Sequence, residues 1–279
     1  MDQGIEEGHA TGPDAVHRRD SAQSETVDAN RAWWDREADD YLAEHGDFLG
    51  DADLVWGPEG WSEDDLHVLG PPGSLAGRAV LEFGGGGGQG ARWCAAHGAR
   101  VVSTDLSGGM LATAARLSAR SPGPAPLLAQ ADATRLPFAD ASFDVVFSAY
   151  GATPFVADSA GLMVELARVL RPGGRLAFST SHPIRWAFPD VPGQAGLTAT
   201  GSYFDETPYV ESTQGRASYV EHHRTTGHRI AEIVDAGLVL DALLEPEWPP
   251  DNTQTWGGWS PLRGAHLPGT AIFVAHRPG

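Results

Sequence analysis

Between residues 75 and 182 short apolar runs alternate with longer amphipathic stretches. The runs predict strands at 78–83, 100–106, 126–131, 143–149 and 174–180, and the stretches between them predict helices at 89–97, 109–119 and 157–170. Residues 134–142 are too short for much of a helix. Strands alternating with helices in this way predict an α/β fold, a doubly wound, Rossmann-like parallel sheet. Upstream, Trp34, Ala38, Tyr41 and Leu42 recur at helical spacing and predict an amphipathic helix over 28–46, while 47–74 reads as irregular. The rhythm breaks at 183–225, where prolines and glycines near Pro189–Gly196 precede the aromatics Tyr203, Phe204, Tyr209 and Tyr219. A stretch this long without periodicity is usually functional, and a substrate cover is the expectation. Thr226 is expected to cap a helix over 227–236, followed by strands at 237–245 and 270–276. The intervening 246–268, rich in Trp, Pro and Gly, is expected to pack on the cover. The first 25 residues are polar and acidic, with no apolar signal-peptide core. The chain therefore divides into an expected disordered tail (1–25), a helical and aromatic cap segment (26–74), a Rossmann-like core (75–182), an inserted cover (183–225), and a returning helix with the closing strands (226–279).

The chemistry begins at the end of the first core strand, where Ala79-Val80-Leu81-Glu82-Phe83 runs into six glycines within Gly84–Gly90. Glycines after a buried strand permit a tight turn and close backbone approach to a ligand, and the free N–H groups of the following helix face that turn. A second acid, Asp105, closes the next strand about twenty residues on, the ribose-clamping distance of dinucleotide folds. By itself the loop is ambiguous. Gly85, Gly87 and Gly90 satisfy G-x-G-x-x-G, the NAD or FAD signature, while Glu82-x-Gly84-x-Gly86-x-Gly88 fits equally well.

The later segments separate the two frames. Ala131-Asp132-Ala133, Leu136-Pro137-Phe138, Ser142 through Ser148, and Val169-Leu170-Arg171-Pro172-Gly173-Gly174-Arg175-Leu176 follow in order. Together with the Glu82 frame they resemble the motifs of class I S-adenosylmethionine (SAM)-dependent methyltransferases, with the UbiE-type small-molecule enzymes as the nearest subgroup. The resemblance covers residues 75–182 and returns weakly at the C-terminus, where the closing strands resemble that family's antiparallel edge hairpin. It implies SAM as cofactor and a methyl group moved to a small, aromatic or apolar acceptor. Glu82, Gly84, Gly86 and Gly88 would hold the methionine part and Asp105 both ribose hydroxyls. Leu106 would pack on the adenine and Asp132 would accept from its amino group, with Ala133 beside it. Ser148, Trp34 and Tyr41 would complete the cofactor site. Asp105 as a helix-capping residue and Asp132 as a solvated turn are the competing structural readings. Gly85 and Gly87 depart from the family pattern, in which larger side chains are usual, so this loop costs more backbone entropy to order. An NAD-dependent oxidoreductase stays as the alternative that rests on the glycine loop alone, and a SAM-binding sensor without transfer activity as the non-enzymatic one.

Composition narrows the partners. All 19 basic residues are arginine, which excludes a Walker-A or Schiff-base lysine. A net charge of −18 argues against nucleic acid as a partner and leaves a small molecule. There is no run of eighteen apolar residues, so no membrane span is expected. The single cysteine, Cys94, fits a reducing cytoplasm and a small core residue, and a monomer or homodimer is the expected state. No His-Cys spacing suits zinc, and no metal is expected. For the catalytic base the candidates are His182 past the fifth core strand, Tyr150 past the fourth, and His222 or His223 in Tyr-Val-Glu-His-His-Arg-Thr. Adjacent residues of an extended segment face opposite ways, so at most one of that pair should enter the site. Hydrogen-bonded structural histidines are the plain alternative. Eight of the nine tryptophans lie outside the core motifs, where packing the cap is the expected role for most of them and aromatic faces for an acceptor the expected use of the rest.

Overall fold

The computed structural model describes residues 15–279. The described residues open with a strand, β1 (Ala15–Arg18), and a helix of seven and a half turns, α1 (Gln23–Leu49), followed by the single turn α2 (Glu63–Leu66). The core then runs β2 (Ala79–Phe83), α3 (Gln89–Ala96), β3 (Arg100–Asp105), α4 (Gly108–Arg120), β4 (Leu127–Gln130), β5 (Phe143–Ser148), α5 (Ser159–Val169) and β6 (Leu170–Ser181). A hairpin of β7 (Tyr209–Thr213) and β8 (Arg216–Glu221) precedes α6 (Thr226–Asp235), β9 (Val239–Leu244), α7 (Pro261–Gly264) and β10 (Thr270–His276).

Seven strands form the main sheet in the order β4-β3-β2-β5-β6-β10-β9. The first five are parallel, and β10 is antiparallel to both β6 and β9. Alternation along each strand feeds two cores. In β2, Leu81 and Phe83 join Leu162 and Leu166 of α5 and Ile233 of α6, while Val80 joins Ala91 and Cys94 of α3 on the other face. The side chain of Cys94 is fully buried there, as expected of a small core residue.

Four expectations need correction. The tail does not extend to residue 25: β1 pairs with β7 and α1 begins at Gln23, while residues 1–14 lie outside the described residues. The helix read as 28–46 is longer at both ends, because Gly46 is absorbed into it and the stop comes at Gly50, where φ is +66°. The cap of α6 is Thr225, whose hydroxyl accepts the His228 N–H at 3.2 Å, rather than Thr226. The cover 183–225 contains a regular hairpin. Its turn, Gln214-Gly215, has both residues at positive φ, the geometry that matches strand twist. Val210 and Val220 alone bury fully, against Ala29, which leaves too little apolar alternation to read from sequence.

The small sheet β1-β7-β8 and α1 close over the carboxyl ends of the parallel strands. Asp35 of α1 accepts from Ser107 Oγ at 2.7 Å and from the Gly109 N–H at 2.9 Å, fixing the helix to the start of α4. A side chain at Gly109 would collide with the Asp35 backbone, so glycine is what lets the two helices meet there. Gly258 and Arg263 lie against Asp190, and Ser260 Oγ donates to the Pro192 carbonyl at 2.7 Å, so 246–268 packs on the cover as expected.

Candidate functional site

A cavity of about 380 Å³ lies at the carboxyl ends of β2, β3 and β5, between the sheet, α1 and the cover. Its floor is the glycine loop. Gly85 N–H donates to the Thr104 carbonyl and Arg92 Nη1 to the Gly87 carbonyl, which ties the loop down on both sides. A Cβ on Gly85 would run into Ser103 Oγ and Glu82, and one on Gly84 into Ala152. A Cβ on Gly86, at φ +53°, would meet no protein atom within 4 Å, so this residue leaves its space to the cavity.

Two acids edge that floor. Glu82 is buried, accepts from Ser103 Oγ at 2.6 Å, and is pushed up to about 7 by burial, against the stabilising Ser103 hydrogen bond and Arg92. Asp105 accepts the Gly86 N–H on Oδ2 and the Ser107 N–H on Oδ1, each at 2.8 Å, and burial holds it above the usual carboxylate range. It thus steadies the turn into α4, the structural reading, and also lines the cavity. Leu106 and Ala133 line the same wall. Asp132 lines it too, but its Oδ1 takes the Thr134 N–H and hydroxyl in a local turn, leaving Oδ2 near Gln23.

Across from the acids the wall is aromatic. Trp34 packs edge-on against Tyr41 and Phe155, each at 5.5 Å between ring centres. Trp256 stacks on His45 at 3.9 Å and 7°, within 6.3 Å of both Tyr41 and Tyr150. Tyr150 lies at φ +53°, a conformation uncommon for an aromatic residue and found at constrained sites. Its hydroxyl is raised above the ordinary phenol range by burial. Of the tryptophans outside the core motifs, Trp34, Trp186, Trp256 and Trp259 line the cavity, whereas Trp56 is core.

Two predicted cofactor contacts do not reach the cavity wall. Ser148 is fully buried inside β5, and Gly88, the N-cap of α3, is absent from a wall that its neighbours Gly87 and Gln89 both line. His182 is the larger correction. Its Nε2 donates to Glu245 at 2.7 Å and its Nδ1 accepts the Ile184 N–H, so both ring nitrogens are committed, and its side chain is not part of the cavity wall. The expectation that at most one of His222 and His223 enters the site also fails, since both line it. The chain leaves the strand at Glu221, and alternation stops with it. His222 Nε2 shares a hydrogen bond with Thr26 Oγ1 at 3.0 Å, and burial, helped by Arg224, lowers its pKa to about 4. His223 Nε2 lies 2.7 Å from the Tyr203 carbonyl, and burial lowers its pKa as well.

Sequence reasoning passed over Arg185 and Glu221, which line the cavity as an ion pair at 3.5 Å with Asp190 at 3.1 Å on the other side. These residues come from distant parts of the cover, and no local pattern links them. Gln23 was missed because the helix was begun too late, and Asn30, inside the predicted helix, because no local pattern marks it as facing the cavity.

The antiparallel β10 between β6 and β9 departs from the parallel strand order of the dinucleotide folds and counts against the oxidoreductase reading. A model described as a methyltransferase domain matches residues 81–178. The demethylmenaquinone methyltransferase of Beutenbergia cavernae is 40% identical over 127 residues, 46% of this chain and 49% of that protein. That of Parafrankia sp. is 35% identical over 178 residues, 54% of this chain and 70% of the relative. The chain thus spans about half the length of the first of these relatives and more of the second. A solved SAM-dependent methyltransferase from Mesorhizobium loti superposes with a TM-score of 0.62 at 29% identity, over 79% of this chain and 100% of that one. This chain belongs to the class I SAM-dependent methyltransferases, the family whose cofactor is SAM. Among the described residues no helix is long and apolar enough to cross a membrane.

Proposed function

We propose that this methyltransferase moves a methyl group from SAM to a small aromatic or apolar acceptor. One observation carries the reading: a single cavity joins the glycine loop, Glu82 and Asp105 to a wall of Trp34, Tyr41, Trp186 and Trp256. Its volume falls in the range of sites that enclose small ligands. The relatives' name, demethylmenaquinone methyltransferase, likewise names a small-molecule acceptor.

The donor set suits the cofactor. The bare Cα of Gly86 opens onto the cavity beside Asp105, and a carboxylate there has acceptor capacity for ribose hydroxyls beyond its two N–H partners. Glu82, on the same wall as the loop, is an acceptor for an ammonium group, and Leu106 and Ala133 give an apolar face for a base. When bound, SAM supplies a methyl on a sulfonium sulfur, open to in-line displacement. The protein's part is then alignment and exclusion of water. Aromatic faces of Trp34, Tyr41 and Trp256 favour a nearby cation as well as a planar acceptor. The β7-β8 hairpin and α1 close the site from above, so we assign 183–225 as the substrate cover.

Titration calorimetry tests the reading. SAM and its demethylated product should bind, NAD should not compete, and labelled methyl should pass to ring-containing acceptors. Tight NAD binding without a response to SAM overturns it.

A further inference from the structure

We propose that His223, through Nδ1, takes the proton from an acceptor methylated on an aromatic hydroxyl. The inference rests on the methyltransferase reading and goes on to name the acceptor group and the base.

The argument starts from the tautomer. A main-chain carbonyl can only accept, so the 2.7 Å contact to Tyr203 requires a proton on His223 Nε2. A neutral imidazole carries one proton, so Nδ1 is left as a bare lone pair. That atom is buried and has no hydrogen-bond partner among the described residues, in a side chain 1% exposed on the cavity wall. Buried acceptors are ordinarily satisfied, and one left without a partner in a residue that lines the cavity is suited to a proton that a ligand brings. The ring cannot easily turn away. Trp186 stacks on it at 5.5 Å and 29°, and Tyr203 packs edge-on at 5.7 Å.

The other histidines lack this arrangement. Both nitrogens of His182 are committed, and the Thr26 hydroxyl beside His222 accommodates either tautomer, so no lone pair is enforced there. The charges around His223 are mixed: Glu206 and Asp205 on the cover favour its proton, and Arg18 of β1 and Arg224 oppose it. With burial added, the ring stays neutral near pH 7 and ready to accept.

The nature of the base selects the acceptor. An amine can attack through its lone pair before it loses a proton, and so does not need a base beforehand. An aromatic hydroxyl, with a pKa of about 10, sits within reach of imidazole as its oxygen begins to bond. In the step, the O–H bond breaks and its proton goes to Nδ1. The freed oxygen pair forms the bond to the methyl carbon, and the C–S pair stays on sulfur as a neutral thioether. The imidazolium returns its proton to solvent after product leaves.

The test uses the full chain with two probes, 1-naphthol and 2,4-dinitro-1-naphthol, the second already ionised at neutral pH. His223→Gln should lower kcat on 1-naphthol by about 10² to 10⁴. The same variant should stay within a few-fold of wild type on the dinitro compound and keep its affinity for the demethylated cofactor. His223→Asn provides the same comparison should the glutamine variant fold poorly. Equal losses on both probes would make His223 a packing residue, and no loss on either would remove it from catalysis. A wild type that binds the demethylated cofactor but methylates neither naphthol overturns the hydroxyl assignment and leaves the methyltransferase reading standing. Failure to bind that cofactor overturns both.

Discussion

The carboxamide of Asn30 pairs with the main chain of Val220 as a neighbouring strand would. Its Oδ1 accepts the Val220 N–H and its Nδ2 donates to the Val220 carbonyl, both at 2.9 Å and both buried. One side chain of α1 thus completes the inner edge of β8 and holds the cover to the N-terminal helix.

Asn30→Ala should leave two buried backbone groups without partners, at about 1–3 kcal/mol each. The expected result is a lowered Tm and faster hydrogen exchange in β8 and the first half of α1, with the exchange of β2 and β5 unchanged. Uniform acceleration across the main sheet would instead mean that Asn30 stabilises the whole fold and not the cover contact.

The glycine loop separates folding from binding at adjacent positions. Gly86→Ala meets no protein atom and incurs about 1–2 kcal/mol for a left-handed φ, so it should fold and lose cofactor affinity. Gly85→Ala runs into Ser103 and Glu82 and should destabilise by about 1–3 kcal/mol. Thermal melts with and without the demethylated cofactor distinguish the two, and a Gly86→Ala protein with normal affinity would take the ligand off that side of the loop.

Asp105→Ala should weaken cofactor binding by about one to two powers of ten, the loss expected for a charge-assisted hydrogen bond. Part of any effect comes from the turn that Asp105 steadies through Gly86 and Ser107. Asp105→Asn, which keeps one acceptor oxygen, should therefore fold better than the alanine and still bind weakly. An unchanged dissociation constant in either folded variant removes Asp105 from the site.

His222 makes stability depend on acid. Its folded pKa of about 4 lies below the ordinary 6.5, so the unfolded chain takes up the proton first as pH falls. The stabilisation is complete above pH 6.5 and is lost as pH falls through about 4, a change of up to about 3 kcal/mol at 1.4 kcal/mol per unit. His182 and His223 shift in the same direction, also through burial. Urea midpoints at pH 7 and pH 4.5 should therefore converge in His222→Gln relative to wild type without becoming equal. Parallel pH dependence in the two proteins would sink the assignment.

What the sequence by itself determined is the parallel core. Apolar runs placed the strands from β2 to β6 in order, and β9 and β10, to within a few residues. Glu82, Gly84, Gly86, Asp105 and Leu106, which line the cavity, were picked out together because the strand, the glycine turn and the next strand end lie within one short stretch of chain. Backbone propensity and burial period act over such distances, so a linear pattern records them. The antiparallel place of β10 came through resemblance alone, since pairing direction leaves no mark on a buried strand's composition. The cover hairpin escaped because only Val210 and Val220 bury fully, and its stability comes from α1 beneath it. The hydrogen-bond partners of the histidines were decided only by the tertiary structure. Whether a ring nitrogen can take a proton depends on the atom about 3 Å away. For His182 that atom is on Glu245, 63 residues on; for His222 it is on Thr26, 196 residues back; for His223 it is the Tyr203 carbonyl, 20 residues back. Such contacts form only when separate elements pack, and the three residues look alike until they do.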